Sequence, residues 1–170
     1  MNKIVYRSIE VTPISGALGA LVSGVELKDP LQEEVFAEIY KAFLDYKVIF
    51  FKDQDLNPET QLRFGKMFGQ PIIYPFVKGL QDFPEITPIL KKETEVNNFG
   101  GVWHSDTTYQ QQPPKATMLY AVEVPEFGGD TEFSNQCMAF DHLSDGMQEF
   151  LSKQKIINTS GKGKVVASRS

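Results

Sequence analysis

The segment Trp103-His104-Ser105-Asp106 carries the residues of this chain that are best suited to chemistry. His104 and Asp106 are two positions apart, and in an extended segment residues i and i+2 point to the same face. An imidazole nitrogen and a carboxylate oxygen suit a divalent first-row metal. They also supply two of the three ligands in the 2-His-1-carboxylate triad of non-haem Fe(II) oxygenases. We therefore predict that His104 and Asp106 bind one metal ion.

The second histidine of such a triad is harder to find. The sequence has two histidines, and the other one, His142, lies in a segment predicted to be a surface helix. We do not expect His142 to be the third ligand. A His-x-Asp triplet also occurs by chance in many proteins, and the spacing alone fits a loop histidine hydrogen-bonded to a nearby carboxylate equally well.

Composition and charge exclude several classes of function. Hydrophobic residues make up 41% of the chain and charged residues 23%, as in ordinary globular domains. The formal net charge is -5 and the pI is about 5.1, which argues against non-specific nucleic-acid binding. The N-terminus lacks the apolar stretch of a signal peptide, and no apolar run has the length of a membrane span. We expect a cytoplasmic protein with neither nucleic acid nor membrane as a partner.

A single cysteine, Cys137, excludes an internal disulfide framework and a cysteine-based zinc cluster. A cysteine nucleophile needs a basic partner, and no histidine close in sequence marks one. We expect Cys137 to be a buried, unreactive thiol.

The order of elements predicts a mixed α and β domain. Apolar residues at helical spacing predict a helix over 31–46, and Asn57 followed by Pro58 predicts the start of a second helix that ends near Gly69. A helical region interrupted near Ser144 and Gly146 is predicted over 136–154. Strands are predicted at 4–11, 21–27, 47–51, 115–124 and 155–158, with turn-prone Thr12-Pro13 and Ser15-Gly16 between the first two.

Further motifs surround the His-x-Asp triplet in a fixed order. In this combination the chain resembles the taurine dioxygenase (TauD/TfdA) family of Fe(II)- and 2-oxoglutarate-dependent oxygenases, from the N-terminal helix-strand unit to about residue 160. The motifs that carry the resemblance are Val48 to Gln54, Phe64-Gly65, Phe68-Gly69, Trp103 to Asp106, Pro113-Pro114 and Gly128-Gly129-Asp130-Thr131.

The resemblance implies a fold, a reaction and a set of site residues. The fold would be α+β, a double-stranded β-helix (a cupin-like jelly-roll) with N-terminal and peripheral helices. His104 and Asp106 would bind Fe(II), and the Thr131 hydroxyl would bind a carboxylate of 2-oxoglutarate. With O₂, the enzyme would hydroxylate an unactivated C–H bond of a small organic substrate and release succinate and CO₂. A carboxylate at 106 favours hydroxylation over halogenation. Without the resemblance, we would interpret Thr131 as a β-branched residue that follows a Gly-Gly turn.

Two features of the family are unmatched here. Its distal histidine and its 2-oxoglutarate-binding arginine lie far downstream of the His-x-Asp motif, and the arginines of this chain are Arg7, Arg63 and Arg169. We therefore interpret residues 1–170 as a single oxygenase domain that lacks its C-terminal part and is inactive alone. If residue 170 is the natural end, a non-catalytic binding or assembly module that keeps the fold is the alternative. A zinc hydrolase that uses His104 and Asp106 would need a further ligand.

The substrate is not identified by the sequence. Sulfonate-using family members place a histidine shortly after the Phe-Gly motif, and residues 70–75 contain none. Taurine is therefore not supported as the substrate. Tyr74 fits either a substrate contact or a packed loop tyrosine, and the formation of a homo-oligomer stays open.

Overall fold

The computed structural model describes residues 5–91, 94 and 101–159. It has an open sheet of three strands and four helices, so the prediction of a mixed α and β chain is confirmed. In chain order the elements are β1 (Glu10–Pro13), β2 (Ala20–Ser23), α1 (Glu33–Tyr46), β3 (Ile49–Phe50), α2 (Pro58–Phe68), α3 (Gln136–Asp141) and α4 (Asp145–Ser152).

The three strands are ordered β1-β2-β3. β1 and β2 are antiparallel, with Pro13 opposite Ala20, whereas β2 and β3 are parallel and are joined by the crossover helix α1. The predicted bounds of the first strand, 4–11, were wrong, because β1 covers Glu10–Pro13 and so includes the Thr12-Pro13 step that was predicted to turn. Residue 4 lies outside the described residues. A proline is tolerated there since β1 is an edge strand and Pro13 is its last residue. The turn follows it, where the Ile14 N–H donates to the Gly19 carbonyl over 2.9 Å.

Helices α1 and α2 form as the sequence predicts. Glu33 and Glu34 in the first turn of α1 complement the helix dipole. α2 begins with a capping box, in which the Asn57 side chain accepts from the Thr60 N–H over 2.9 Å and Thr60 Oγ1 accepts from the Asn57 N–H over 2.9 Å. Pro58 occupies the first helical turn, and the helix ends before Gly69.

The hydrophobic core lies between the sheet and the helices α1 and α2. Phe68 of α2 packs edge-on against Phe36 and Phe43 of α1, with ring centroids 5.0 and 5.8 Å apart. From the later part of the chain, Met118 and Tyr120 pack against this core. The buried members of the core are Ile9, Val22, Leu27, Ile39, Ala42, Leu56 and Phe64.

The predicted strands 115–124 and 155–158 do not join the sheet. Part of the first segment nevertheless alternates in burial, because Met118 and Tyr120 are half-buried while Thr117 and Leu119 are exposed; residues 121–124 are all exposed. A strand is defined by its ladder of hydrogen bonds, and within the described ranges no neighbouring strand pairs with either segment. The prediction of strands at 115–124 and 155–158 was therefore wrong for the described structure.

The predicted helical region 136–154 consists of two short helices. The break falls at His142–Ser144, so Ser144 was correctly placed at it, whereas Gly146 lies inside α4. Asn135 caps α3 by accepting from the Met138 N–H over 3.0 Å. Cys137 in α3 is exposed, and the expectation of a buried thiol was wrong because α3 buries no residue. None of the helices in the described ranges combines the length and apolarity needed to span a bilayer.

Candidate metal centre

The side chains of His104 and Asp106 lie next to each other. His104 Nε2 and Asp106 Oδ1 are 3.1 Å apart, and each side chain is about half exposed to solvent, with relative areas of 50% and 51%. The shared orientation expected from the i, i+2 spacing is therefore present in the structure.

The remaining polar atoms of both side chains are hydrogen-bonded. His104 Nδ1 lies 2.7 Å from the Val102 carbonyl oxygen, which can only accept, so Nδ1 carries the proton of this bond. Asp106 Oδ2 accepts from the Thr117 hydroxyl over 2.6 Å. In the neutral imidazole this arrangement leaves Nε2 with its lone pair directed at a carboxylate oxygen.

This donor set fits a bound cation. A neutral imidazole nitrogen and a carboxylate oxygen that face each other at 3.1 Å are two acceptors, and a proton or a metal ion between them turns their repulsion into attraction. Two ligand atoms that bind a first-row ion at about 2.1 Å and at right angles to each other lie about 3 Å apart. The observed separation therefore suits two adjacent ligands of one divalent ion.

The chain turns sharply directly after Asp106. Thr107 has φ 49° and is buried, and its carbonyl accepts from the Gln110 N–H over 3.0 Å. A β-branched residue in this left-handed region is an outlier, and such residues concentrate at functional sites. The side-chain oxygens of Thr107 and Tyr109 are buried, and the described part of the chain offers them no hydrogen-bond partner.

The segment that contains Thr117 is attached to the core at three points. Lys115 Nζ donates to the Phe68 carbonyl at the end of α2 over 3.0 Å, and it lies 5.1 Å from the centre of the Tyr40 ring. Met118 packs into the core. The Tyr120 hydroxyl forms two hydrogen bonds with the loop after β3.

Tyr120 connects this segment to the loop between β3 and α2. Its hydroxyl donates to the Gln54 carbonyl over 3.1 Å and accepts from the Leu56 N–H over 3.3 Å. The Gln54 side chain in turn accepts from the Leu27 N–H over 2.8 Å. The roles of Thr117 and Tyr120 were not predicted from the sequence, because alternation gives the face of a residue and not its partner.

Thr131 is exposed and makes no hydrogen bond within the described residues. It follows Gly128 and Gly129, which have φ 80° and 69° and form the turn expected of them. Beyond it, the Phe133 ring packs edge-on against Phe50 with centroids 6.2 Å apart, and Asn135 Nδ2 donates to the Ala17 carbonyl over 2.6 Å. The structure thus holds the segment after Thr131 against the sheet, and the binding of 2-oxoglutarate by Thr131 stays a prediction.

No third metal ligand lies beside the pair in the described residues, where no group of three or more His, Cys, Asp and Glu side chains could hold a metal. His142 Nδ1 donates instead to the Met138 carbonyl over 2.7 Å at the end of α3. Among the arginines, Arg63 donates to the Lys28 carbonyl and Arg7 lies beside Glu38. Arg169 lies outside the described residues.

An aromatic contact joins the loop after α2 to the turn after Asp106. The Phe76 ring lies 5.7 Å from Tyr74 and 6.0 Å from Tyr109, measured between centroids. This contact supports the interpretation of Tyr74 as a packed loop residue, and a contact with substrate stays a prediction.

Comparisons with known proteins agree on one family. Residues 10–166 match the family described as "Taurine catabolism dioxygenase TauD, TfdA family". The chain is 31% identical over 146 residues to the alpha-ketoglutarate-dependent sulfate ester dioxygenase of Pseudomonas putida, an alignment that covers 85% of this chain and 48% of that protein. It is 30% identical over 161 residues to the alpha-ketoglutarate-dependent 2,4-dichlorophenoxyacetate dioxygenase of Cupriavidus pinatubonensis, covering 85% of this chain and 56% of that protein.

A solved structure gives the same result. The crystal structure of a taurine dioxygenase from Burkholderia xenovorans superimposes with a TM-score of 0.77 at 32% identity, and the match covers 86% of this chain and 52% of that one. The chain spans about half the length of these relatives.

Proposed function

Because this chain belongs to the TauD, TfdA family of dioxygenases, we propose that its protein is an Fe(II)- and 2-oxoglutarate-dependent dioxygenase. It would hydroxylate an unactivated C–H bond of a small organic substrate and release succinate and CO₂. The observation that carries the proposal is the pair His104 Nε2 and Asp106 Oδ1, 3.1 Å apart, while the other polar atoms of both side chains are hydrogen-bonded. Metal-binding histidines and carboxylates are usually held in this way.

The residues of this chain would hold the metal and one end of the cosubstrate. His104 and Asp106 would each supply one ligand atom, and the Val102 carbonyl would keep the imidazole in the tautomer that leaves Nε2 free to bind. The Thr131 hydroxyl would bind a carboxylate of 2-oxoglutarate. Bound Fe(II) would couple the decarboxylation of 2-oxoglutarate by O₂ to oxidation of the substrate, and the protein would position the substrate and exclude water.

The second histidine and the arginine would come from a chain segment outside residues 1–170. The half-length match to the relatives supports this part of the proposal. The same segment would complete a double-stranded β-helix by pairing with 115–124 and 155–158. The alternating exposure of Met118 to Tyr120 and the high exposure of Val122 and Ile157, at 87% and 88%, support unfinished sheet edges in this region.

The relatives support only a general substrate class, that of small organic molecules. The relatives from Pseudomonas putida and Cupriavidus pinatubonensis are named for a sulfate ester and for 2,4-dichlorophenoxyacetate. Taurine stays unsupported, because residues 70–75 contain no histidine.

The test is the formation of succinate from 2-oxoglutarate by the protein expressed from its native gene, with Fe(II), ascorbate and a panel of sulfate esters, sulfonates and phenoxyalkanoates. We expect succinate from the wild type and none above background from His104→Ala or Asp106→Ala. Thr12→Val, on the exposed side of β1, is the control and should be fully active. A folded wild type that makes no succinate, or ligand variants that are as active as the wild type, would contradict the proposal.

A second candidate is a non-catalytic module that keeps the fold. This candidate is favoured by the absence of a third metal ligand beside His104 and Asp106 in the described residues. Such a module would bind neither Fe(II) nor 2-oxoglutarate, so the same preparation separates the two candidates.

A further inference from the structure

The hydroxyl of Thr117 donates to Asp106 Oδ2 over 2.6 Å. This length is typical of an O–H bond to an ionised carboxylate, at about 2.5–2.7 Å. The torsion of an aspartate carboxylate about its last bond is broad, and a hydrogen bond to one oxygen restricts it. We propose that Thr117 is a positioning residue that keeps Asp106 Oδ1 directed at the metal, on the side of His104 Nε2.

Thr117 can hold the carboxylate because its own backbone is held. Met118 packs into the core beside it, and Tyr120 bonds to the backbone of Gln54 and Leu56. On the other side, Lys115 donates to the last carbonyl of α2. The position of the Asp106 carboxylate is therefore determined by α2 and the loop after β3, and not by the segment 101–106 alone.

Water cannot replace this contact in full. Thr117 is exposed and Asp106 is about half exposed, so a water molecule would satisfy Oδ2 if the hydroxyl were removed. Such a water is not attached to the core and leaves the carboxylate free to rotate. Loss of an outer partner lowers metal affinity about 10–100-fold, and because of the exposure we expect about 10-fold.

This inference rests on the proposed function, because it needs a metal at His104 and Asp106. The experiment is a Co(II) titration of the protein expressed from its native gene, followed by the visible absorption of the bound ion, which reports affinity and ligand geometry together. Co(II) accepts the same nitrogen and oxygen ligands as Fe(II). The variants are Thr117→Val, Thr117→Ala and Thr117→Ser, and the control is Thr12→Val, which removes an exposed hydroxyl from β1.

We expect Thr117→Val and Thr117→Ala to bind Co(II) about 10-fold more weakly than the wild type and to show a changed spectrum. Thr117→Ser and Thr12→Val should match the wild type in both. Both Thr117→Val and Thr117→Ala lack the hydroxyl, so the alanine variant still gives a result if valine disturbs folding. The unfolding midpoint of each variant shows whether it folds like the wild type.

Three outcomes would overturn the inference. If the valine and alanine variants bind as tightly as the wild type with the same spectrum, Thr117 does not position Asp106. If the serine variant is as weak as the alanine variant, the methyl group matters and the hydroxyl does not. If the wild type itself binds no Co(II), the proposed function fails first and this inference fails with it.

Discussion

Every buried hydrophobic side chain of the described residues lies between Ile9 and Phe64, whereas between 101 and 159 the one buried residue is Thr107. The first region, from Ile9 to Phe68, packs its core between a sheet and two helices. The second region, residues 101–159, exposes large apolar side chains, among them Phe127 at 86% and Ile157 at 88%. Yet His104, Asp106 and Thr131 all belong to the second region. The first region is therefore a scaffold, and the candidate site lies on a part of the chain that is attached to this scaffold at a few points.

The largest effect is expected from removing a ring out of the scaffold. Phe64 is 4% exposed and packs edge-on against Phe51 and Phe68. We expect Phe64→Ala to lower the free energy of unfolding by about 3–5 kcal/mol, because it removes buried area and leaves a cavity. In the 170-residue chain, Phe127→Ala is the matched control and should change stability by less than about 0.5 kcal/mol. Urea unfolding of both variants measures this, and equal losses would refute the division into two regions.

The second prediction concerns a further chain segment that would cover the second region. In the 170-residue chain, Ile157→Ala should change the free energy of unfolding by less than about 0.5 kcal/mol, since the side chain is exposed. In a longer protein from the native gene, we expect the same substitution to lower it by about 2 kcal/mol or more, because the added segment would bury Ile157. Urea unfolding of the wild type and of Ile157→Ala, in the 170-residue chain and in the longer protein, measures the two losses. A loss that is equally small in the longer protein would count against a completed sheet.

A smaller effect is expected at the attachment of the second region to the first. Tyr120→Phe removes both hydrogen bonds of the hydroxyl to Gln54 and Leu56. At about 0.5–1.5 kcal/mol for each bond, we expect a loss of about 1–3 kcal/mol and faster amide exchange at Leu56. The control is Tyr46→Phe, since Tyr46 packs against the core and has no hydroxyl bond in the described structure. If the two variants behave alike, Tyr120 is not an anchor.

The smallest expected effect depends on pH. The Glu38 carboxylate of α1 accepts the N–H groups of Arg7 and Ser8 over 2.8–3.0 Å, and these backbone bonds hold the pKa of Glu38 below its ordinary value of 4.5. A lowered pKa in the folded state stabilises the fold above pH 4.5, and this contribution is lost as the pH falls further. Glu38→Gln should therefore be less stable at neutral pH and lose less stability between pH 5 and acid conditions. An unchanged dependence of stability on pH would contradict this account.

The scaffold was more predictable from the sequence than the second region, for a physical reason. The apolar spacing of α1 and the Asn57-Pro58 start of α2 are local signals that the structure satisfies locally. Strand pairing is not local, so 115–124 has no ladder and alternates in burial only over 117–120.

The candidate site shows the same limit. The pairing of His104 with Asp106 followed from their i, i+2 spacing. The bond from Thr117 to Asp106 and the bonds of Tyr120 join residues far apart in sequence, and no motif indicates them.

The proposed function requires that His104 and Asp106 hold one metal ion together. We would titrate Fe(II) without oxygen into the protein from its native gene, with 2-oxoglutarate present, and follow the absorption of the Fe(II)–2-oxoglutarate chelate. We expect the wild type to bind one Fe(II) per chain, and both His104→Ala and Asp106→Ala to lose more than about 100-fold in affinity, beyond the loss expected for an outer partner. A wild type that binds no Fe(II), or variants that bind it as well as the wild type, would show that His104 and Asp106 do not form the metal site.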